Sequence, residues 1–336
     1  MAHRDLVVIG ASAGGVDALI RVAARLPPDF PAAVLVVLHM PPYADSHLAE
    51  RLNAAGGLPA APAVDGEPIL PNRIYVAVPD RHLMVEGRRI RLSRGPRESR
   101  SRPSIDVLFR SAAFSSGPRL IGVVLTGMLD DGTAGLWAIK DRGGMAIVQS
   151  PQDAEYPSMP MSAAQHVAVD YSVPLAELPA VLQSLTREEL SLMEGGMTSR
   201  NLEIENRIAL GDNGLESNVR SLGAPSFYTC PECHGSMVAI EEGSTKRFRC
   251  HTGHGFTAAA LAADGLPEIE QVLWTALAQL EEREMLLGEL EKSAQAEGNG
   301  DAAAQLAAQA QQTRRISMQV RQLARDPMFK DPPRQP

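Results

Sequence analysis

Leu6-Val7-Val8-Ile9-Gly10-Ala11-Ser12-Ala13-Gly14-Gly15 runs from an apolar, β-branched segment straight into a glycine-lined turn. Such a run, bounded by turn residues, reads as a buried strand. From Val16 to Leu26 the apolar residues fall at helical spacing, so a helix begins where the strand ends. Ser12 then lies beside the free N–H groups of a helix N-terminus, which can stabilise an oxyanion. Gly10-Ala11-Ser12-Ala13-Gly14 also has the Gly-x-Ser-x-Gly form, whose glycines leave the hydroxyl exposed. The rivals are an ordinary serine in a turn and a dinucleotide-binding turn. The latter needs glycine where Ser12 stands and an acidic residue about 20 residues on. The second apolar run ends instead in Leu38-His39-Met40-Pro41.

From Leu6 to about Val173, short β-branched runs alternate with helical segments, as in an open, doubly wound α/β sheet. Strands are expected over 6–9, 33–38, 74–77, 83–86, 90–92, 120–125 and 145–149. Helices are expected over 15–25, 44–55, 104–115, 132–142 and 162–166. The region from Ile74 to Leu92 reads as an antiparallel corner on a mostly parallel sheet, with turns at Pro79-Asp80 and Glu86-Gly87. A closing helix from Leu175 to about Met193 ends the first domain (1–193), and a polar linker (194–226) follows. A small unit (227–262) and a helical hairpin (267–325), broken at Gly298-Asn299-Gly300, complete the chain. On this reading, deletion of everything after about Ser221 leaves a folded first domain.

With 336 residues and 44% hydrophobic content, the chain can bury one large core plus a smaller module. Its apolar runs are far too short for a bilayer span and the N-terminus lacks a signal-peptide layout, so the expectation is a cytoplasmic protein without direct membrane insertion. A net charge of −8 argues against nucleic-acid binding. One local exception is Arg88, Arg89, Arg91, Arg94, Arg97, Arg100 and Arg102. These arginines read either as a solvated hairpin and loop or as a docking strip for an acidic partner.

Ser12, His39 and the Asp130-Asp131 pair all follow expected strands, at the sheet edge where ligand sites form. A serine hydroxyl needs an imidazole to take its proton and a carboxylate to orient that imidazole. Each residue also has a plainer reading. His39 can be a buried strand-end histidine, Asp131 can cap the following helix, and Asp130 is an equally good carboxylate. Among the other histidines, His47 and His82 fall in surface-like contexts. The order Ser, His, Asp disfavours an ordinary α/β-hydrolase.

Gly10 to Gly15, Leu38 to Pro41, Arg102-Pro103-Ser104-Ile105-Asp106-Val107-Leu108-Phe109 and Leu125-Thr126-Gly127-Met128-Leu129-Asp130-Asp131-Gly132 together resemble the catalytic domain of the chemotaxis protein-glutamate methylesterases. Tyr156-Pro157-Ser158-Met159-Pro160 resembles a loop near that family's active site. The resemblance implies a serine hydrolase that removes γ-methyl esters from glutamates of chemoreceptor-like signalling proteins and can deamidate glutamine. Ser12 is then the nucleophile, His39 the base and Asp131 the orienting carboxylate. The backbone at Met128 and the turn at Ala13 form the oxyanion site, Arg102 and its neighbours steer the substrate, and no cofactor takes part in catalysis. There are departures. The chain starts at the catalytic strand, without the family's N-terminal receiver domain, so control by phosphorylation in cis is not expected. Ala13 stands where threonine is common, Leu129-Asp130 replaces a Gly-Asn pair, and Met161 replaces an arginine.

Cys230-x-x-Cys233 followed by Cys250-x-x-x-His254 supplies four ligands in two close pairs, as a tetrahedral structural zinc site requires, with His251 as a competing fourth. A zinc-ribbon-like unit is therefore expected, and redox use of the Cys pair is disfavoured because no βαβ unit surrounds it. Trailing helices of this kind suit a regulatory partner. Two other functions remain in view: a signalling adaptor with a vestigial esterase fold, and a serine esterase acting on small molecules.

Overall fold

The computed structural model describes residues 2–43, 45–190, 200–211, 219–243 and 245–326, with the backbone alone at 264–268. Its main sheet is built from β1 (Leu6–Ala11), β2 (Ala33–Leu38), β3 (Ala60–Pro62), β4 (Arg73–Val76), β7 (Leu120–Val124), β8 (Met145–Gln149) and β9 (Tyr171–Val173). The spatial order is β3-β4-β2-β1-β7-β8-β9, and every pair is parallel. Strand β1 is central. Its Ala11 pairs with Leu38 at the end of β2, and its Gly10 with Val124 at the end of β7. The chain leaves β1 toward β2 on one side and returns on the other at β7, which makes this edge a topological switch point.

All six residues of β1 and of β2 are buried, because helices cover both faces. On one face α1 (Gly15–Ala23), α2 (Leu48–Ala55) and α6 (Leu178–Arg187) bring Leu19, Val22, Leu52 and Leu182 against Val7, Ile9 and Val36. On the other face α3 (Ile105–Ser116), α4 (Thr133–Asp141) and α5 (Ser158–His166) pack Phe109, Leu136, Ile139 and Met159 against Val8, Leu35 and Val148. Strands β5 (His82–Glu86) and β6 (Arg89–Ser93) pair antiparallel and add Leu83, Val85 and Ile90 to this second layer. Gly10 permits the close approach of α3, since a Cβ there would lie 2.2 Å from Ile105 Cγ2.

The doubly wound, mostly parallel fold and its antiparallel hairpin match expectation. The edge strands β3 and β9 do not appear in the sequence reading because each has three residues. His82 is not at the surface. Its ring is fully buried, bridging Pro96 O (2.9 Å) and Ser104 N (3.3 Å).

The sequence reading places domain boundaries at 193 and 227. Within the stretch read as a linker, helix α7 (Arg200–Leu210) packs beside α3 and Val219; residues 191–199 and 212–218 lie outside the described residues. Strands β10 (Ala224–Thr229), β11 (Ser236–Glu242), β12 (Thr245–Cys250) and β13 (Gly255–Thr257) then form a four-stranded antiparallel sheet. Ile204 and Ile208 of α7 share a core with Val238 and Ile240 of β11. The reason is a buried ionic cluster. Glu205 receives bidentate hydrogen bonds from Arg247 (3.0 and 3.0 Å) and a further one from Arg249 (3.0 Å), and forms an ion pair with Arg110 (2.9 Å). Glu98 is shared between Arg110 (2.5 Å) and Arg249 (2.8 Å). Glu98 and Arg110, from the part of the chain that builds the doubly wound sheet, thus need α7 and β12 to complete their pairing. The chain forms two compact units, Met1–Ala260 and Leu261–Pro336, so the ribbon belongs to the first.

The second unit holds most of α8 (Ala258–Ala296) and all of α9 (Gly300–Ala324), the expected hairpin. Asn299 caps α9 by accepting from Ala302 N (3.1 Å). Leu277, Leu287, Ala294, Ala303 and Ala324 are buried, and Arg314 pairs with Glu284 (3.7 Å). No helix among the described residues is long and apolar enough to cross a membrane.

Candidate active site and metal centre

Ser12 and His39 follow directly on paired positions of β1 and β2, so the register of the sheet makes them neighbours. Ser12 N donates to Thr126 O (3.0 Å) and His39 N to Ala11 O (3.1 Å), which fixes both backbones on the sheet edge. Gly14 takes φ +71 at the helix entry, where a Cβ would also crowd Glu155 and Thr126. A Cβ at Gly127 would lie 2.9 Å from Ser12 Cβ and 2.1 Å from Met159 Sδ, so the loop after β7 lies flat against the serine turn.

His39 Nε2 is hydrogen-bonded to Asp131 Oδ2 at 2.7 Å. Asp131 is buried and accepts three more bonds, from Ser104 Oγ (3.1 Å), Ile105 N (2.8 Å) and Asp106 N (3.0 Å). It does not cap the helix that follows it. Its carboxylate caps α3, while Asp106 in the first turn of α3 accepts from Gly132 N (3.0 Å) and Gly135 N (2.6 Å) at the start of α4. Each aspartate thus serves the other's helix, where the helix dipole favours a carboxylate. Burial opposes ionisation of Asp131, but the hydrogen bonds from His39, Ile105 and Asp106 hold its carboxyl below the usual range. Burial and the neighbouring Asp131 push the Asp106 carboxyl well above that range.

The N–H groups of Ala13 and Met128 have no hydrogen-bond partner among the described residues. Thr126 ties the serine turn to the Tyr156 loop, donating to Ala13 O (3.1 Å) and accepting from Tyr156 N (2.8 Å). Met128, Leu129 and Tyr156 are exposed around the serine. Arg102 grips Asp80, between β4 and β5, through Nε (3.0 Å) and Nη2 (2.6 Å) and donates to Gly95 O (2.8 Å) in the loop before α3. The wider arginine strip is likewise paired within the chain, Arg88 with Asp5, Arg91 with Asp65 and Arg94 with Asp80. Sequence reasoning missed Ser104 and Asp106, although both stand in a motif quoted above.

Cys230, Cys233, Cys250 and His254 converge, with one ligand atom from each lying within 4.8 Å of the others. Cys233 Sγ is 3.6 Å from Cys250 Sγ, and His254 Nδ1 is 3.7 and 3.6 Å from Cys230 and Cys250 Sγ. Zn–S bonds of about 2.3 Å at tetrahedral angles put sulfurs roughly 3.8 Å apart, so the donor set fits that ion. His251 is not part of the cluster. Glu232 Oε2 lies 3.4 Å from His254 Nε2, where it orients the ring and leaves Nδ1 to the sulfurs. Burial raises the Cys250 thiol, but hydrogen bonds from His254 and Thr252 bring it down to about 5, and the bond to Cys250 lifts His254 to about 9.

The CheB methylesterase family profile matches residues 7–182, just over half of the chain. A protein-glutamate methylesterase/protein-glutamine glutaminase of Anaeromyxobacter dehalogenans is 40% identical over 184 residues, covering 53% of this chain and 51% of that protein. One from Myxococcus xanthus is 40% identical over 190 residues, covering 55% of each. The chain therefore spans about half the length of these curated relatives. The crystal structure of the Thermotoga maritima CheB methylesterase catalytic domain aligns over all of its own length and 55% of this chain, with 33% identity and a TM-score of 0.52. The matched region ends before the metal cluster and the helical hairpin.

Proposed function

Because the chain belongs to the CheB methylesterase family, we propose that it hydrolyses γ-methyl esters of glutamate, and the matching amides of glutamine, on chemoreceptor-like signalling helices. The observation that carries this reading is the His39–Asp131 bond of 2.7 Å beside the Ser12 turn, with Asp131 held by three further donors. Asp131 engages Nε2 and leaves Nδ1 as the base. In the acylation half, Ser12 Oγ attacks the γ-carbonyl carbon and its proton passes to His39 Nδ1, while Asp131 stabilises the imidazolium. The N–H groups of Ala13 and Met128 receive the oxyanion. The tetrahedral species then expels methanol, or ammonia from glutamine, with the proton returned by His39. Water attacks the acyl-serine by the same route and releases the glutamate carboxylate.

The Cys3His cluster is a closed structural site, and zinc there would contribute folding energy. Its four ligands supply no reacting group to the ester chemistry. The exposed rim of Met128, Leu129 and Tyr156 suits a substrate presented on a protein surface. The test compares methanol release from a receptor signalling fragment carrying γ-methyl glutamate with release from a small methyl ester, with ammonia release from the glutamine form as a third arm. A kcat/KM at least about a hundredfold higher for the fragment is expected. Equal values would favour a small-molecule esterase.

A further inference from the structure

Three residues after the last metal ligand, Thr257 ends β13 with its side chain turned to the catalytic loop. Its Oγ1 donates to Asp130 Oδ1 at 2.7 Å and accepts from Ala260 N at 3.0 Å. Asp130 directly precedes Asp131 and follows Leu129, whose φ of +61 puts a branched side chain in the left-handed region. The loop is anchored at its start by Gly127 N on Tyr156 O (2.9 Å) and at its end by Gly132 N on Asp106. Between these anchors, Thr257 makes the sole side-chain hydrogen bond to Met128, Leu129 or Asp130 among the described residues. An unfavourable conformation persists only where its surroundings hold it. Here the hold comes from the metal-binding sheet.

Thr257 is itself placed by the ligand turn. Cys250 N donates to His254 O (3.0 Å) and Gly253 N to Cys250 O (2.9 Å), and β13 departs from His254 without an intervening residue. Gly255 joins the loop before α3, with its N on Arg97 O (3.1 Å) and its O receiving Ser99 N (2.7 Å). A short, doubly bonded strand therefore runs from the Cys3His cluster to the residue beside the catalytic carboxylate.

We propose that Thr257 is a positioning residue for the hydrolysis, aiming the Met128 N–H through Asp130, so that a metal ion in the Cys3His cluster sets the rate of acylation. This rests on the esterase reading for its kinetic arm only. The tests use the full chain loaded with zinc. Thr257→Val keeps the shape and removes the hydroxyl, and is expected to lower kcat about tenfold to a hundredfold with KM within about twofold. Zinc released on denaturation stays at one ion per chain, and Thr257→Ser restores kcat. Asp130→Ala leaves Thr257 capping α8 and gives the same loss; the double variant is no worse than either. Hydrogen exchange of amides 127–132 quickens in Thr257→Val and in wild-type protein stripped of zinc. Unchanged kcat in Thr257→Val, or failure of the serine variant to restore it, overturns the proposal. If the wild type releases no methanol, the esterase reading fails, yet exchange still judges the link, and loop protection indifferent to zinc overturns it.

Discussion

Asp131 can act as an orienting carboxylate because four donors fix it, and any change that keeps its shape but not its charge isolates that role. Asp131→Asn is expected to lower kcat by about a thousandfold to ten-thousandfold while the fold persists, because the amide favours the wrong imidazole tautomer; kinetics alongside a thermal melt would check this. His82 gives a stability signature instead. Burial depresses its pKa from 6.5 to about 4, so the folded protein keeps the ring neutral. Its contribution is complete above pH 6.5 and declines as pH falls toward 4, since the unfolded chain takes up the proton first. Roughly 3 kcal/mol should be lost over that interval, and His82→Gln should flatten that part of the stability curve. The residue types at the site were legible as Ser12, His39 and an aspartate. Residue chemistry left Asp130 and Asp131 open and only the family resemblance pointed to Asp131, because the choice depends on which carboxylate faces β2 and which faces β13, and strand register across the sheet is absent from local sequence.

Among the elements, β1, β2 and β7 announced themselves because strands buried on both faces are nearly unbroken apolar runs. Helix α7 did not. Its Arg200–Leu210 sequence carries Glu203, Glu205 and Arg207, and reads as solvated, yet Glu205 is buried, where it pairs with three arginines. Burial raises the Glu205 carboxyl, but Arg110, Arg247 and Arg249 outweigh it and hold it below the usual range. Glu205→Gln leaves those guanidiniums short of charge, so a cost of about 3–5 kcal/mol is expected. Denaturant melts would read this as a lowered midpoint with an unchanged slope. For the same reason, a chain ending near Ser221 should be less stable than the full protein. Charge patterning could not reveal this cluster, whose members are 98, 110, 205, 247 and 249 in sequence.

Taken whole, the molecule divides at Ala260, after the metal-binding sheet rather than before it. A protein stopped after Ala263 retains Thr257, the Cys3His cluster and the Glu205 pairs, and should keep wild-type kcat on a methylated fragment; a loss beyond about threefold would place the helical hairpin in the mechanism. The candidate metal ligands were largely legible, since spacing picks out Cys230, Cys233 and Cys250 and leaves His251 or His254 as the fourth, and the fold brings His254 to the cluster. Their proximity to the catalytic loop was not, because the link runs through a three-residue strand and one hydroxyl. All of this presumes that Ser12 is the nucleophile. The measurement to make is methanol release from a γ-methylated receptor fragment by the wild-type chain beside a Ser12→Ala variant of matched melting temperature. Release by the wild type and its loss by at least about a thousandfold in the variant is the expected result; release that survives the loss of Ser12 would contradict it.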